Sequence, residues 1–349
     1  MEGFPSGREF RLLRFMRFKY FIVLLVLFVS APSIEARTNG YLSFEYSRGL
    51  QNDEQKSGSF QDVQLGLVFS GALSPGIEYL GEFLLKEEGV EVEQVWIGFF
   101  SSETLRLKMG LYLVPFGRYN QFSRPHENLL VYPPLNVVHA YPQRWRDIGI
   151  LAEGRIGSFV YSAYIGNGLS EGSALDEGQQ FGDNNRNKGV GGRVGWLVSQ
   201  SFEVAYSHYR GKIDAEDTRK TVLQGVDLTW SPEGFHMLAE YTRGISENPE
   251  GYEKGEVEGF FVQVSLVLQK IRPVASVQKL KYSDPFHGPG FFAPDTPGDG
   301  IRIDLTRWAL GLVFAPLPNV LLKLEYDLDK DRNADLKSSA ITFQAALSF

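Results

Sequence analysis

The last ten residues constrain the fold more than any other stretch. In 340–349 the odd positions carry Ile341, Phe343, Ala345, Leu347 and Phe349, while the even positions from Thr342 onward are polar or small. A repeat of two gives an extended strand one apolar face and one face that meets water. The run finishes on an aromatic residue with no polar residue after it. A soluble sandwich could bury that face. Lipid is its more natural solvent, because a strand of a transmembrane barrel shows it to the bilayer while pairing with the first strand to close the sheet. The same design should then recur along the chain.

It does recur. Leu42, Phe44 and Tyr46 alternate with Ser43, Glu45 and Ser47; Val63, Leu65, Leu67 and Phe69 with Asp62, Gln64 and Gly66. Further runs place Leu105, Leu107, Met109 and Leu111 opposite Arg106, Lys108 and Tyr112, and Val190, Val194 and Trp196 opposite Arg193. Met237, Ala239 and Tyr241 oppose His236, Glu240 and Thr242; Trp308, Leu310 and Leu312 oppose Arg307; Leu322, Leu324 and Tyr326 oppose Lys323, Glu325 and Asp327. Ile77, Tyr79 and Phe83 likewise enclose Glu78 and Glu82, whereas 90–100 and 272–282 alternate less cleanly. Short turns at 72–76, 101–104, 156–158, 199–201, 231–234 and 316–319 separate longer polar connections at 51–58, 115–145, 168–187, 211–219, 246–255, 283–300 and 329–338. Alternating short and long connections, with no domain boundary, favour one closed antiparallel all-β transmembrane barrel of about sixteen strands over sandwiches. Trp196, Trp230, Trp308 and Tyr241 are the expected interfacial aromatics.

The amino terminus is consistent with that destination. Arg8, Arg11, Arg14, Arg17 and Lys19 precede the apolar run 20–29 and then Ser30-Ala31-Pro32-Ser33-Ile34-Glu35-Ala36. This reads as a secretory signal peptide cut after Ala36, with Met16 a second candidate start and an uncleaved anchor the alternative. Residues 37–349 then form the barrel, and no other run is long and apolar enough for a membrane helix. The leader holds five of 35 basic and three of 42 acidic residues, leaving 30 against 39, an acidic balance that argues against nucleic acid. Cysteine is absent, so neither disulfides nor thiol-held metals arise.

The connection from Val114 through Trp145 is about thirty residues, too long for an idle link in a compact protein, and is expected to fold inward and narrow the lumen. An external cap is the alternative. The segment leading into it, Lys108-Met109-Gly110-Leu111-Tyr112-Leu113-Val114-Pro115-Phe116-Gly117, resembles the lead into the third loop of phosphate-selective porins O and P. Arg146-Asp147-Ile148-Gly149, Tyr164-Ile165-Gly166-Asn167-Gly168 and Asp183-Asn184-Asn185 add to the likeness in order and spacing. The resemblance implies an outer-membrane barrel, commonly a homotrimer among lipid and lipopolysaccharide, through which small hydrophilic solutes or anions diffuse. Phosphate preference does not carry over, because the loop has Arg118, Arg124, Arg144 and Arg146 but no lysine.

Fixed cations in a narrow channel draw anions and carboxylates draw cations, so selectivity depends on which groups share the narrowest level. The expected lumen cations are Arg106, Lys108, Arg193 and Arg307; Glu78, Glu82, Glu240, Glu325 and Asp327 are their counterparts. Arg118 and Arg124 are expected to approach the constriction; pairing with wall carboxylates merely to brace the loop is the equal alternative. The acidic run 327–335 lacks the glycine and closing glutamate of a calcium loop and reads as a solvated external loop. The five histidines are scattered without metal-ligand spacing, and adjacent Ser207 and His208 point to opposite faces of a strand. No catalysis, metal or cofactor is therefore expected. A structural or adhesive barrel with a plugged lumen is the other functional reading.

Overall fold

The computed structural model describes residues 36–51, 57–172, 174–287, 303–333 and 335–349. The expected leader up to Glu35, and most of the Pro/Gly-rich stretch after His287, lie outside the described residues. The strands are β1 (Arg37–Gln51), β2 (Ser59–Ser74), β3 (Ile77–Lys86), β4 (Gly89–Ser102), β5 (Leu105–Leu113), β6 (Arg146–Ile156), β7 (Phe159–Gly166) and β8 (Gly189–Ser199). They continue as β9 (Phe202–Lys212), β10 (Lys220–Trp230), β11 (Phe235–Ser246), β12 (Gly255–Leu266), β13 (Ile271–Asp284), β14 (Asp304–Leu317), β15 (Val320–Asp331) and β16 (Leu336–Ser348).

Each strand pairs antiparallel with its sequence neighbours, and β1 pairs with β16, so the sixteen form one closed barrel. The terminal residue completes the seam. Phe349 accepts from the Gly40 amide at 2.8 Å and donates back to its carbonyl at 2.9 Å. Its ring covers Gly40, where a β-carbon would collide with it. Closure satisfies the backbone of every strand and leaves no edge, the condition for spanning hydrocarbon.

The outward face carries the alternating apolar residues. Leu310 is 61% exposed and Val194 54%, with Val95, Ile97, Met109, Ile150 and Leu324 similarly open. That much apolar surface in water would be unfavourable by roughly 25 cal/mol per Å²; lipid removes the penalty. Trp196, stacked on Phe159, and Trp230 lie near strand ends. Tyr241 does not. It sits mid-strand between Val226 and Phe260, so its place in an aromatic girdle is corrected.

The connections depart from expectation at three points. A seventh short turn, 267–270, joins β12 to β13 and turns at Gln269 with φ of 57°. At the other end only Glu87 and Glu88 separate β3 from β4, which makes 114–145 the third connection there. The acidic run expected as a loop is mostly strand: β15 continues to Asp331, because Asp327 and Asp329 turn inward to Arg307.

Candidate functional site

A β-bulge starts the site. Glu82 pairs with Gln94 but Phe83 pairs with Val92, so Glu93 is an extra residue in β4. The apolar face shifts from Val90 and Val92 to Val95, Ile97 and Phe99, which is why 90–100 alternates imperfectly. The bulge turns two consecutive polar side chains, Glu93 and Gln94, into the lumen beside Glu82. All three are buried there, and Gln94 donates to Glu82 at 2.8 Å.

Residues 114–145 fold into this lumen. The loop begins and ends together: Asn120 donates to the carbonyls of Val114 and Trp145 and accepts from the Trp145 amide at 2.7 Å. Phe116, Tyr141 and Trp145 pack edge-on and tilted against one another, and Trp145 meets Tyr209 of the wall at 4.8 Å. Around them Val114, Val137 and Phe261 are fully buried. Tyr164 and Tyr209 fill the space left by Gly191 and Gly189, the glycine cluster of β8.

The β3–β4 side of the loop is ionic. Arg124 grips Glu82 with two parallel bonds, 2.8 and 2.7 Å, and reaches Glu127 at 3.1 Å. Arg144 bridges Glu82 at 3.3 Å and Glu93 at 2.7 Å; Arg146 reaches Glu93 at 3.0 Å. Burial opposes the Arg124 charge, but the hydrogen-bonded Glu82 outweighs it and holds the guanidinium above its ordinary pKa.

On the far side the wall carboxylates meet backbone instead. Glu240 accepts from the amides of Arg118 and Tyr119 at 3.0 and 3.3 Å and from the Tyr141 hydroxyl at 2.9 Å. Gly117 is left-handed at φ +66°, and a β-carbon there would strike the Glu240 carboxylate, so only glycine lets the chain approach this closely. Glu325 accepts from the Val131 and Tyr132 amides, Gln278 from Leu135, and Lys323 donates to the Pro125 carbonyl at 2.6 Å. The short helical turn Leu135–His139 is seated here, with Asn136 donating to Thr242 at 3.1 Å.

The expected lumen residues therefore separate into groups. Glu240 and Glu325 touch the loop, as does Arg124 through Glu82. Arg193 pairs with Asp227 and Glu203, Lys108 with Glu153 at 2.8 Å, and Arg307 with Asp329 at 2.7 Å. Arg106 lies near the short-turn end over the Phe100 ring, apart from the loop's ionic contacts. The Arg118 guanidinium has no ion pair among the described residues; it lies 4.3 Å from the centre of the Phe122 ring. Burial pushes its pKa down, with Glu203 opposing that and Arg193 adding to it. Sequence reasoning missed Glu93 and Gln94; the break in alternation near 90–100 was the available signal.

Cavities remain on both sides of the loop. One of about 360 Å³ opens among Asp62, Lys86, Glu91, Gln143 and Arg144, toward the long-loop end. Another of about 230 Å³ lies toward the short turns, between the loop and the β10–β13 wall. Tyr119 and Asn128 line both.

No family model matches the sequence, and no curated protein does. Solved structures do match. The chain superposes on a loop-deletion mutant of OmpT, an outer membrane protein of Vibrio cholerae, with a TM-score of 0.67 and 11% identity over 91% of this chain and 100% of that one. For the anion-selective porin from Comamonas acidovorans the values are 0.65, 10%, 91% and 100%. For Salmonella typhi OmpF in complex with daunomycin they are 0.64, 10%, 90% and 97%. The shared property is the outer-membrane barrel fold.

Proposed function

We propose that this chain is an outer-membrane porin through which small hydrophilic solutes and ions diffuse passively, without bond chemistry. The supporting observation is the inward loop: 114–145 crosses the lumen and leaves cavities on its two sides that adjoin at Tyr119 and Asn128. A lipid-facing exterior and a polar interior put the working surface inside the barrel. A secreted leader, a place among outer-membrane lipid and lipopolysaccharide, and a trimeric assembly complete the reading; the OmpT of Vibrio cholerae has a trimer form. Anion preference belongs to the proposal too, because the loop's ionic side has three arginines on two wall carboxylates and the opposite side has Arg118 unpaired. Kinship with the phosphate-selective porins O and P rests on the short motifs leading into and following the loop.

A sealed structural barrel draws on the same loop, which hydrogen-bonds to strands all round the wall, from Glu82 through Glu240 and Gln278 to Glu325. Planar-bilayer recording separates the two. Discrete conductance steps, with a salt-gradient reversal potential displaced toward anions, are expected; a silent barrel overturns the porin.

A further inference from the structure

We infer that the cavity between the loop and the β10–β13 wall binds small amphipathic carboxylates on their way through the pore, a reading that rests on the porin function and names its substrate class. Arg118 comes to this cavity from the loop and Arg272 from β13, and neither has an ion-pair partner among the described residues. Two guanidinium groups facing one water-filled space without a carboxylate between them are an electrostatic cost unless an anion visits. Glu127 also lines the cavity, but Arg124 holds it at 3.1 Å.

A second observation points to a ligand independently. His236 Nδ1 and the Thr229 hydroxyl, both on this wall, are buried polar atoms without a hydrogen-bond partner. Buried polar atoms are satisfied in nearly all folded proteins, so two orphans beside two unpaired cations mark a place where polar partners come from outside. An oxyanion accepts from both guanidinium groups and from the threonine hydroxyl. The imidazole nitrogen takes part as donor in its Nδ1–H tautomer.

The remainder of the lining sets the ligand's body. Phe122 and Leu238 complete the cavity with apolar surface. Phe122 is already faced by the Arg118 guanidinium, so a charged head and an apolar flank lie side by side. The volume, about 230 Å³, exceeds many times the ~10–15 Å³ that one water requires. A bare inorganic ion would leave the apolar side unused. A small organic acid uses both.

Benzoate, with acetate beside it, is the test probe, measured as block of chloride current through the reconstituted barrel and by calorimetry on the folded barrel in detergent. Saturable benzoate block is expected. Arg272→Gln should raise the half-blocking concentration about tenfold, the loss of one charge-assisted contact. Leu238→Asn should weaken benzoate several-fold and leave acetate unchanged; Arg332→Gln, on an exposed external turn, should change neither. Conductance with benzoate block identical in wild type and Arg272→Gln overturns the subsite and leaves the porin standing. Benzoate and acetate blocking equally overturns the amphipathic assignment. No conductance, with benzoate binding still weakened by Arg272→Gln in calorimetry, sinks the porin and keeps the subsite.

Discussion

The two flanks of the inward loop use the same residue types to opposite ends. Against β3–β4, Glu82 and Glu93 meet three guanidinium groups, and all the charges are spent on holding the loop. Against β11 and β15, Glu240 and Glu325 meet backbone amides and a tyrosine hydroxyl, and the arginine nearest Glu240 in sequence contact gives it only its main-chain N–H. Arg118 keeps its guanidinium for the lumen. Counting arginines on a pore loop therefore says little about its selectivity; what matters is which carboxylate each one has been given. A bidentate pair fixes position and cancels its own field, whereas a carboxylate capped by amides fixes position and leaves the cation free.

Glu82→Gln tests the ionic flank and should have the largest effect. The side chain is fully buried and serves Arg124 and Arg144 together. Removing its charge strands two guanidinium groups, and breaking a buried pair this way costs about 3–5 kcal/mol. A lower thermal midpoint and a reversal potential moved further toward anions are expected. Unchanged selectivity would mean that this flank does not face the conducting path.

Glu240→Gln makes the same change on the other flank and should do less. Its amide oxygen can still accept the Arg118 and Tyr119 N–H groups, and no arginine is left unpaired. A loss of about 1–2 kcal/mol from the Tyr141 contact is the expected scale. Selectivity should stay close to wild type. If Glu240→Gln shifts the reversal potential as far as Glu82→Gln does, the distinction between spent and free charges fails.

The asymmetry was only half legible from sequence. Strict alternation in β5, β8, β11 and β15 placed Lys108, Arg193, Glu240 and Glu325 inside, because a period of two needs no tertiary information. Arg118 and Arg124 were drawn out by the length of their loop. Their partners were not, since Glu82 and Arg124 are brought together by a fold that crosses the lumen, and no local pattern encodes such a contact. Glu93 escaped for a different reason: a bulge reverses the parity of every residue after it, so a strict alternation assigns it to the wrong face. Arg272 sits one residue before Pro273, in a stretch whose alternation is weak, and so gave no signal until the wall was in place.

The smallest expected effect asks whether amides alone can hold a carboxylate charged. Asp214, in the connection between β9 and β10, accepts from the Thr218 amide at 2.9 Å and the Arg219 amide at 2.7 Å, and from the Thr218 hydroxyl. Burial would raise its pKa, but these bonds outweigh it and leave the carboxyl below its ordinary value. A depressed carboxyl contributes stability that is present above its unfolded pKa and is lost as pH falls through the folded one. Hydrogen exchange at Thr218 and Arg219 should therefore be slower in wild type than in Asp214→Asn at neutral pH. The difference should shrink once the pH falls well below about 3.9, the unperturbed aspartate value. Equal protection at neutral pH would show that amide donors add nothing beyond the loop's own geometry, and would remove the parallel drawn for Glu240.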